Sequence, residues 1–231
     1  HHLKIMSACK TMDERIFYMN MCIKERLSKR ELERQIDSGY YERYMLSQNP
    51  QSLALETAKK ATGNIFLDNY VLDFLDVPDP MSEHDLQKSI IRNLKDFILE
   101  IGKDFTFVGE EYRVQVGNHD FFIDLLFYHR GLSCLVAFEL KIGEFKPEYV
   151  GQINLYLEAL DREVKKENEN PSVGIILCAS KDDEVVEFAL SRSLSPTMVA
   201  EYNLKLIDKK LLQKKLKEYI ELAKLTEYEN A

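Results

Sequence analysis

The sequence of 231 residues predicts an α/β protein, in which helices cover both faces of a mixed central sheet and a small all-α region precedes that sheet. Two observations indicate this fold. Residues 10–75 have the periodicity of helices, and the pattern changes near residue 80. The strands predicted after that point are apolar on both faces, which is typical of a sheet buried between two layers of helices.

Capping and turn signals divide the chain. Ser28 and Glu31 fit a capping box that begins a helix, and Gly39 is expected to end that helix. The segment Val77–Pro80 predicts a rigid link, because it contains two prolines. We therefore expect a helical N-terminal region over 1–78, a core domain over 79–204 and a lysine-rich C-terminal helix over 205–231.

The elements of the core follow from the periodicity. Ser82 and Asp85 are expected to begin one long amphipathic helix that ends at Gly102, with a buried stripe of Leu86, Ile90, Leu94, Phe97 and Ile98. The next elements are strands at 105–116, 119–128, 132–142, 173–179 and 198–202, and helices at 147–161 and 182–190. The connection between the third and fourth of these strands is expected to be a right-handed crossover.

The segment Phe121–Lys141 carries three charged residues in two otherwise apolar strands. A two-residue type II′ turn at Gly131-Leu132 sets a register in which Asp124 and Glu139 are cross-strand neighbours, with Cβ atoms about 5 Å apart. Lys141 then lies on the same face, because side chains alternate along a strand. Adjacent carboxylates repel each other unless a cation lies between them, and oxygen ligands suit Mg²⁺. The sequence therefore predicts a metal site.

The spacing of Asp124, Glu139 and Lys141 resembles the signature of the PD-(D/E)XK nuclease superfamily. A longer match, over 107–162 and 170–190, is similar to the YhcG-type bacterial nuclease family. This resemblance covers residues from about 80 to 202, with a weaker extension over the helical segment before them. It implies a restriction-endonuclease-like α/β/α core. It also implies a metal-dependent nuclease that acts on DNA, in processing, recombination or defence, and leaves 5′-phosphates.

The hairpin chemistry and the resemblance together assign roles to the central residues. Asp124, Glu139 and the backbone carbonyl of Leu140 are expected to bind Mg²⁺ or Mn²⁺. Such an ion lowers the pKa of a bound water and neutralises charge that develops on the scissile phosphate. Lys141 is expected to orient the attacking water or to help deprotonate it, and to stabilise the transition state.

Two neighbouring helices add further candidates. Gln152 and Tyr156 share a helix face, and their spacing resembles the Q-x-x-x-Y motif of the RecB-like branch of the superfamily. The resemblance implies an active-site role for Gln152, and Tyr156 is open between function and packing. Gln87 stands where the family commonly has a glutamate that points toward the site, with Glu83 one turn earlier. This departure is expected to weaken a second metal site or to lower activity.

Glu111 is a candidate third acid. A two-residue turn at Gly117-Asn118 would place Glu111 beside Asp124, on the side away from the hairpin partner of Asp124, as a metal or water ligand. The alternative is that Glu111 is only exposed at the entry of a bulged strand, because a bulge at Gly109 would move the register.

The charge pattern leaves two classes of function open. A net charge of −8 lowers the expected non-specific affinity for nucleic acid, but local cations can still contact phosphates. Lys29, Arg30, Lys146 and Tyr149 are candidate contacts, with solvated or packed helix faces as the alternative. The second class is a non-cleaving DNA-binding or assembly module built on a nuclease fold, in which the helical region contacts DNA or forms a homodimer.

Composition favours a cytoplasmic bacterial protein. The chain is 45% hydrophobic and 30% charged, and it contains neither an apolar run that could span a membrane nor a secretory signal. Its four cysteines are expected to be free thiols. No histidine spacing suits a zinc nuclease, and no phosphate-binding loop is present. The chain begins with His1-His2, which indicates a tag remnant and predicts that an N-terminal part of the natural protein is missing.

Overall fold

A computed structural model describes residues 1–48, 65–193 and 195–229, with side chains described as far as residue 221. Part of the stretch predicted to be helical, residues 49–64, lies outside the described residues. The helices are α1 (His2–Ala8), α2 (Met12–Glu25), α3 (Lys29–Asp37), α4 (Tyr40–Ser47), α5 (Glu83–Arg92), α6 (Leu94–Ile101), α7 (Glu148–Glu163), α8 (Asp183–Leu190) and α9 (Lys209–Glu229). The strands are β1 (Asn69–Val71), β2 (Phe105–Val116), β3 (His119–His129), β4 (Cys134–Leu140), β5 (Val173–Cys178) and β6 (Thr197–Asn203).

Contacts within the chain divide it into two units. The helical unit is His1–Asn49 together with Lys205–Ala231, and the sheet unit is Pro50–Leu204. The C-terminal helix α9, which the sequence sets apart as a third region, thus belongs with the N-terminal helices. Lys209 at the start of α9 has its Nζ 2.9 Å from a carboxylate oxygen of Glu14 and 3.7 Å from one of Glu42.

The start of α3 is capped as the sequence predicts. Ser28 Oγ accepts a hydrogen bond from the backbone N–H of Glu31, and the Glu31 carboxylate accepts one from the N–H of Ser28 at 2.7 Å. The helix ends at Asp37, and Gly39 follows in the left-handed conformation with a φ of 66°. The capping box at the start of this helix and the glycine after its end were therefore both predicted from the sequence.

The sheet is mixed, with the strand order β1-β6-β5-β4-β3-β2. The strands β2, β3 and β4 pair in antiparallel fashion, and β4, β5, β6 and β1 pair in parallel. Strand β1 was not predicted. It lies in the stretch 10–75, which was predicted to be helical, and it precedes the predicted domain boundary at residue 78. Its three residues carry no periodicity that distinguishes a strand, and Tyr70 and Val71 are buried where β1 pairs with β6.

The single long helix predicted from Ser82 to Gly102 is two helices. The helix is interrupted at Asn93, where φ is −112° and ψ is 29°. The side-chain amide of Asn93 donates a hydrogen bond to the carbonyl oxygen of Ser89 at 2.9 Å. Asparagine competes in this way with the backbone bonds of a helix. The break rotates the buried face, so that Leu99 and Ile101 are buried, whereas the predicted Leu94 and Ile98 are only half-buried.

Helices cover the sheet on two faces. Phe97 of α6 packs against Phe127 and Phe138, with ring centroids 5.9 and 5.8 Å away. The neighbouring strand residues Leu126 and Ala137 belong instead to the cluster that contains the buried side chains of α7. Because successive strand residues point to opposite faces, α6 and α7 lie on opposite faces of the sheet. Among the described residues no helix is long and apolar enough to cross a membrane.

Replacing Gly174 with alanine is expected to lower the free energy of unfolding by about 1–3 kcal/mol. A Cβ at this position of β5 would lie 2.6 Å from Ile153 Cγ1 and 3.2 Å from Leu157 Cδ1, so α7 could no longer pack as closely. Urea unfolding measures the change. Gly151→Ala is the control, because a Cβ there meets nothing within 4 Å. Equal stability of the two variants would contradict this account of the α7 contact.

Candidate active site

The β3–β4 hairpin has the predicted register but not the predicted turn. Leu125 lies opposite Phe138 and Leu126 opposite Ala137, so the next position along the strands places Asp124 opposite Glu139. The strands are joined by four residues, 130–133, and the left-handed residue is Ser133, with a φ of 51°, rather than a glycine. The type II′ turn was therefore wrong. The register is still the predicted one, because the four-residue loop differs from the predicted turn only in that the pair next to the turn does not form.

Asp124 is held from both its side chain and its backbone. Its Oδ2 accepts a hydrogen bond from the backbone N–H of Leu140 at 2.7 Å, which ties the carboxylate to the end of β4. Its backbone carbonyl accepts a hydrogen bond from Gln87 Nε2 of α5 at 2.8 Å. Burial raises the pKa of the Asp124 carboxyl, although the bond from Leu140 and the charge of Lys141 oppose the rise.

Glu139 and Lys141 form a buried ion pair next to Asp124. Lys141 Nζ lies 2.8 Å from Glu139 Oε1 and 3.2 Å from Oε2 of Glu83, at the start of α5. Glu139 is only 2% exposed, and burial together with the charge of Asp124 raises its pKa to about 7. Burial disfavours the charged form of Lys141, but Glu139 and Glu83 outweigh it and raise the pKa of the ammonium. The lysine is therefore a charged group at neutral pH.

The site has the properties of a cation site. Glu139 Oε2 is buried and has no hydrogen-bond partner, and Asp124 repels it from the neighbouring strand. An ion bound by these two acids and the Leu140 carbonyl would supply the missing partner with hard oxygen ligands, as Mg²⁺ or Mn²⁺ prefers. No cluster of three or more histidine, cysteine or acidic side chains suited to a metal occurs among the described residues. Water or substrate oxygens would thus have to complete the coordination.

Glu111 lies where the turn-based register predicts. Glu110 pairs with Leu125 and Tyr112 with Ile123, which leaves Glu111 opposite Asp124. The bulge weighed as the alternative is also present, but it lies between Phe107 and Gly109, so it does not move the register at Glu111.

The backbone at Glu111 is in the left-handed conformation, with a φ of 45°, which is unusual for a residue other than glycine. The exposed face of β2 changes at this residue. Before it, exposed residues are at even positions such as Val108 and Glu110, and from Glu111 onward they are at odd positions, Arg113 and Gln115. Glu111 is exposed, and its Oε1 lies 3.8 Å from His84 Nδ1. The outer half of the hairpin is therefore turned relative to the inner half.

The candidates on α7 lie beside the acids. Gln152 Nε2 donates to the hydroxyl oxygen of Tyr156 at 2.8 Å. Burial raises the pKa of Tyr156, and the charges of Glu139 and Asp124 add to the rise, which places the phenol close to them. Tyr149 contacts Lys141, whose Nζ lies 5.1 Å from the centre of the ring.

The candidate phosphate contacts belong to different units of the chain. Lys146 is exposed in the loop before α7. Lys29 and Arg30 begin α3 in the helical unit, where Lys29 lies 4.0 Å from Glu33. The structure thus groups Asp124, Glu139 and Lys141 at one place, with Tyr149 against the lysine and Glu111 opposite Asp124 on β2. Lys29 and Arg30 do not belong to the sheet unit.

Glu83 was not assigned a role from the sequence, although it contacts Lys141. The signal that could have found it is the capping box of α5, in which Ser82 precedes Glu83 and donates its backbone N–H to the Asp85 carboxylate. This cap fixes Glu83 at the first position of the helix that faces β4. Gln87, one turn later, bonds to the backbone of Asp124 and so has a structural contact that a glutamate could not make.

Replacing Gln87 with leucine is expected to lower the free energy of unfolding by about 1 kcal/mol, because the Asp124 carbonyl loses its side-chain donor. Gln87→Glu, which has the same shape but an acceptor in place of the donor, is expected to lose at least as much. Thermal unfolding of both variants measures the effect. A glutamate variant as stable as the wild type would show that the hydrogen bond from Gln87 contributes nothing.

Comparison with known proteins identifies relatives of both parts of the chain. Residues 63–217 match the family described as the YhcG PDDEXK nuclease domain, and residues 1–43 match the DUF1016 N-terminal domain. The protein named "Putative nuclease YhcG" from Escherichia coli (strain K12) is 36% identical over 219 residues, which are 93% of this chain and 58% of that protein. The chain therefore spans less than two thirds of that relative.

Two solved structures show a distant similarity over about half of this chain. A repair endonuclease from Pyrococcus abyssi has a TM-score of 0.37 at 17% identity, over 55% of this chain and 48% of that one. EndoMS in its complex with double-stranded DNA has a TM-score of 0.35 at 19% identity, over 52% and 43%. The sheet topology, the grouped Asp124, Glu139 and Lys141, and the family match over 63–217 lead to one conclusion: the chain belongs to the YhcG PDDEXK nuclease family.

Proposed function

We propose that this chain is a metal-dependent nuclease that hydrolyses phosphodiester bonds in DNA. The observation that carries the proposal is the buried oxygen of Glu139, which has no hydrogen-bond partner and lies across from Asp124. A buried acid pair of this kind costs stability unless a cation compensates it, and perturbed acids of this kind are concentrated at functional sites. Membership of a nuclease family supports the same reading.

Each residue of the site has a role in this reaction. Asp124, Glu139 and the Leu140 carbonyl would hold Mg²⁺ or Mn²⁺, which supplies an activated water and neutralises charge on the phosphate. Glu139 and Glu83 raise the pKa of the Lys141 ammonium group. Lys141 is proposed to orient the attacking water or to help deprotonate it, and to stabilise negative charge in the transition state.

Three further side chains complete the proposed site. Glu83 holds the ammonium group of Lys141 from the side of α5. The Gln152 amide, fixed by its bond to Tyr156, is available to bind the phosphate or the water. Glu111 is an additional carboxylate opposite Asp124, where it could accept a hydrogen bond from a water at the site.

A non-cleaving DNA-binding module is the second candidate, because Lys141 already neutralises part of the charge on Glu139. The two candidates differ in one property. A nuclease needs the acids to bind a cation, whereas a binding module keeps the ion pair permanently and gains nothing from a divalent ion.

An assay with labelled DNA distinguishes the two candidates. The chain is incubated with linear duplex, branched or single-stranded DNA, and with RNA as a comparison. Each reaction contains Mg²⁺, Mn²⁺ or EDTA. We expect DNA fragments with 5′-phosphate ends only when a divalent ion is present. Binding of DNA with no cleavage in either ion would favour the binding module.

The helical unit is proposed to form a homodimer and to contribute Lys29 and Arg30 to DNA binding, in the bacterial cytoplasm. Helix α2 supports the first of these proposals. It exposes a stripe of apolar residues at the spacing of one helix face: Met12, Ile16, Met19 and Ile23.

A further inference from the structure

The outer half of the β2–β3 hairpin has one face toward the core and one face toward solvent. Val114 and Ile123 are buried in the cluster that includes α7, and Phe121 packs against the same cluster. The opposite face consists of exposed or half-buried residues from both strands: Glu111, Arg113, Gln115, Asp120, Phe122 and Asp124. We call this set the open face. It carries the acid Asp124 of the candidate site at its inner end.

Phe122 is the one apolar residue of the open face. Its side chain is 53% exposed, whereas Phe121 before it packs against the core. A single exposed phenylalanine needs no explanation by itself. The position of Phe122 is what matters, because it lies two residues before Asp124, and therefore about 7 Å from it along the strand.

Arg113 accompanies this ring. It is the direct cross-strand partner of Phe122, and the ion pair between its guanidinium group and Asp120 Oδ1, 2.8 Å apart, is exposed. Because Asp120 compensates the charge of Arg113, the pair attracts phosphates weakly. The open face therefore carries two flat groups, the aromatic ring of Phe122 and the guanidinium plane of Arg113. Both kinds of group can stack on a base.

We propose that Phe122, with Arg113 beside it, is a stacking platform for an unpaired base of the DNA substrate next to the scissile bond. The inference rests on the proposed nuclease function and assigns its substrate class as DNA with unpaired nucleotides at the cleavage point. The bases of an intact duplex have no free face for a protein ring, whereas those of a single strand do. Stacking contributes about 1–3 kcal/mol per base. In a chain with a net charge of −8, this energy compensates for weak phosphate attraction.

The test measures binding without cleavage. The whole chain is titrated, in EDTA, into fluorescein-labelled oligothymidylate and, separately, into a labelled hairpin duplex. We expect Phe122→Ala to weaken binding of the oligothymidylate about tenfold, Phe122→Trp to bind at least as tightly as the wild type, and duplex binding to change little. Phe188→Ala is the matched control, because Phe188 on α8 is 74% exposed and lies outside the hairpin. It is expected to bind like the wild type.

Three results would overturn the platform: no binding of the oligothymidylate by the wild type, equal losses in Phe122→Ala and Phe188→Ala, or equal losses of single-stranded and duplex binding in Phe122→Ala. Circular dichroism confirms that each variant is folded. Failure of the nuclease proposal is seen separately, as absence of cleavage by the wild type in Mg²⁺ and Mn²⁺. A Phe122-dependent loss of single-strand binding without any cleavage would therefore support the base contact and refute the catalytic function.

Discussion

The Lys141→Met variant is expected to cleave DNA about 100- to 1,000-fold more slowly than the wild type, because one preorganised charge that stabilises the transition state is removed. Methionine keeps most of the length of the lysine stem and removes only the ammonium group. The structure places that group 2.8 Å from Glu139 and 3.2 Å from Glu83, so both acids lose their partner. Initial rates on labelled DNA in Mg²⁺ measure the effect.

Lys181→Met is the matched control for this variant. Lys181 has the same exposed side-chain fraction as Lys141, 11%, and it also forms an ion pair, with Asp183 at 3.0 Å. Both changes remove a largely buried ammonium group from the sheet unit, and only one of them touches the candidate site. We expect Lys181→Met to cleave at nearly the rate of the wild type. Equal rates in the two variants would show that Lys141 has no catalytic role.

The Asp124→Asn variant is expected to lose cleavage without losing stability. Asparagine Oδ1 can still accept the hydrogen bond from the Leu140 N–H, which Asp124 accepts at 2.7 Å. The substitution also removes the negative charge that raises the pKa of Glu139. We therefore expect a melting temperature in EDTA equal to or above that of the wild type, with cleavage lowered at least about a hundredfold. Natural active sites often sacrifice stability in this way.

Thermal unfolding with divalent ions adds a second readout for Asp124→Asn. A ligand that binds only the folded state raises the melting temperature. Mg²⁺ or Mn²⁺ should therefore stabilise the wild type and have little effect on the variant. Asp183→Asn, which changes an exposed carboxylate on α8, serves as the control and should respond to the ions like the wild type. An equal ion response in the wild type and Asp124→Asn would contradict metal binding at Asp124.

The register of the site could be predicted from the sequence. Two features of the sequence restrict how β3 and β4 can pair: the alternation of their side chains and the position of the polar break between them. A two-residue loop and a four-residue loop at this break give the same register. The neighbour relation of Asp124 and Glu139 is therefore insensitive to the error in turn type. For Glu111 the sequence left two alternatives open, and the register that places it opposite Asp124 holds because the bulge lies between Phe107 and Gly109.

Other features depend on contacts between distant parts of the chain, which local patterns do not contain. Strand β1 has three residues and exists because β6 offers an edge on which it can pair. The break at Asn93 is a local competition for hydrogen bonds, and the helical periodicity around it hides it. The hydrogen bonds from Lys141 to Glu83 and from Gln87 to Asp124 depend on how α5 packs on the sheet. The sequence predicted a weaker second metal site or lower activity at Gln87, and it did not reveal the hydrogen bond that Gln87 donates to the backbone of Asp124.

The most direct test of the central claim is cleavage of labelled DNA by the wild type and by Asp124→Asn, purified in parallel so that a contaminating nuclease would appear in both. We expect the wild type to cut DNA in Mg²⁺ or Mn²⁺ and to stop in EDTA, and we expect the variant, folded to the same extent, to cut at least about a hundredfold more slowly. A wild type that binds DNA and never cuts it, or a variant that cuts as fast as the wild type, would contradict the account.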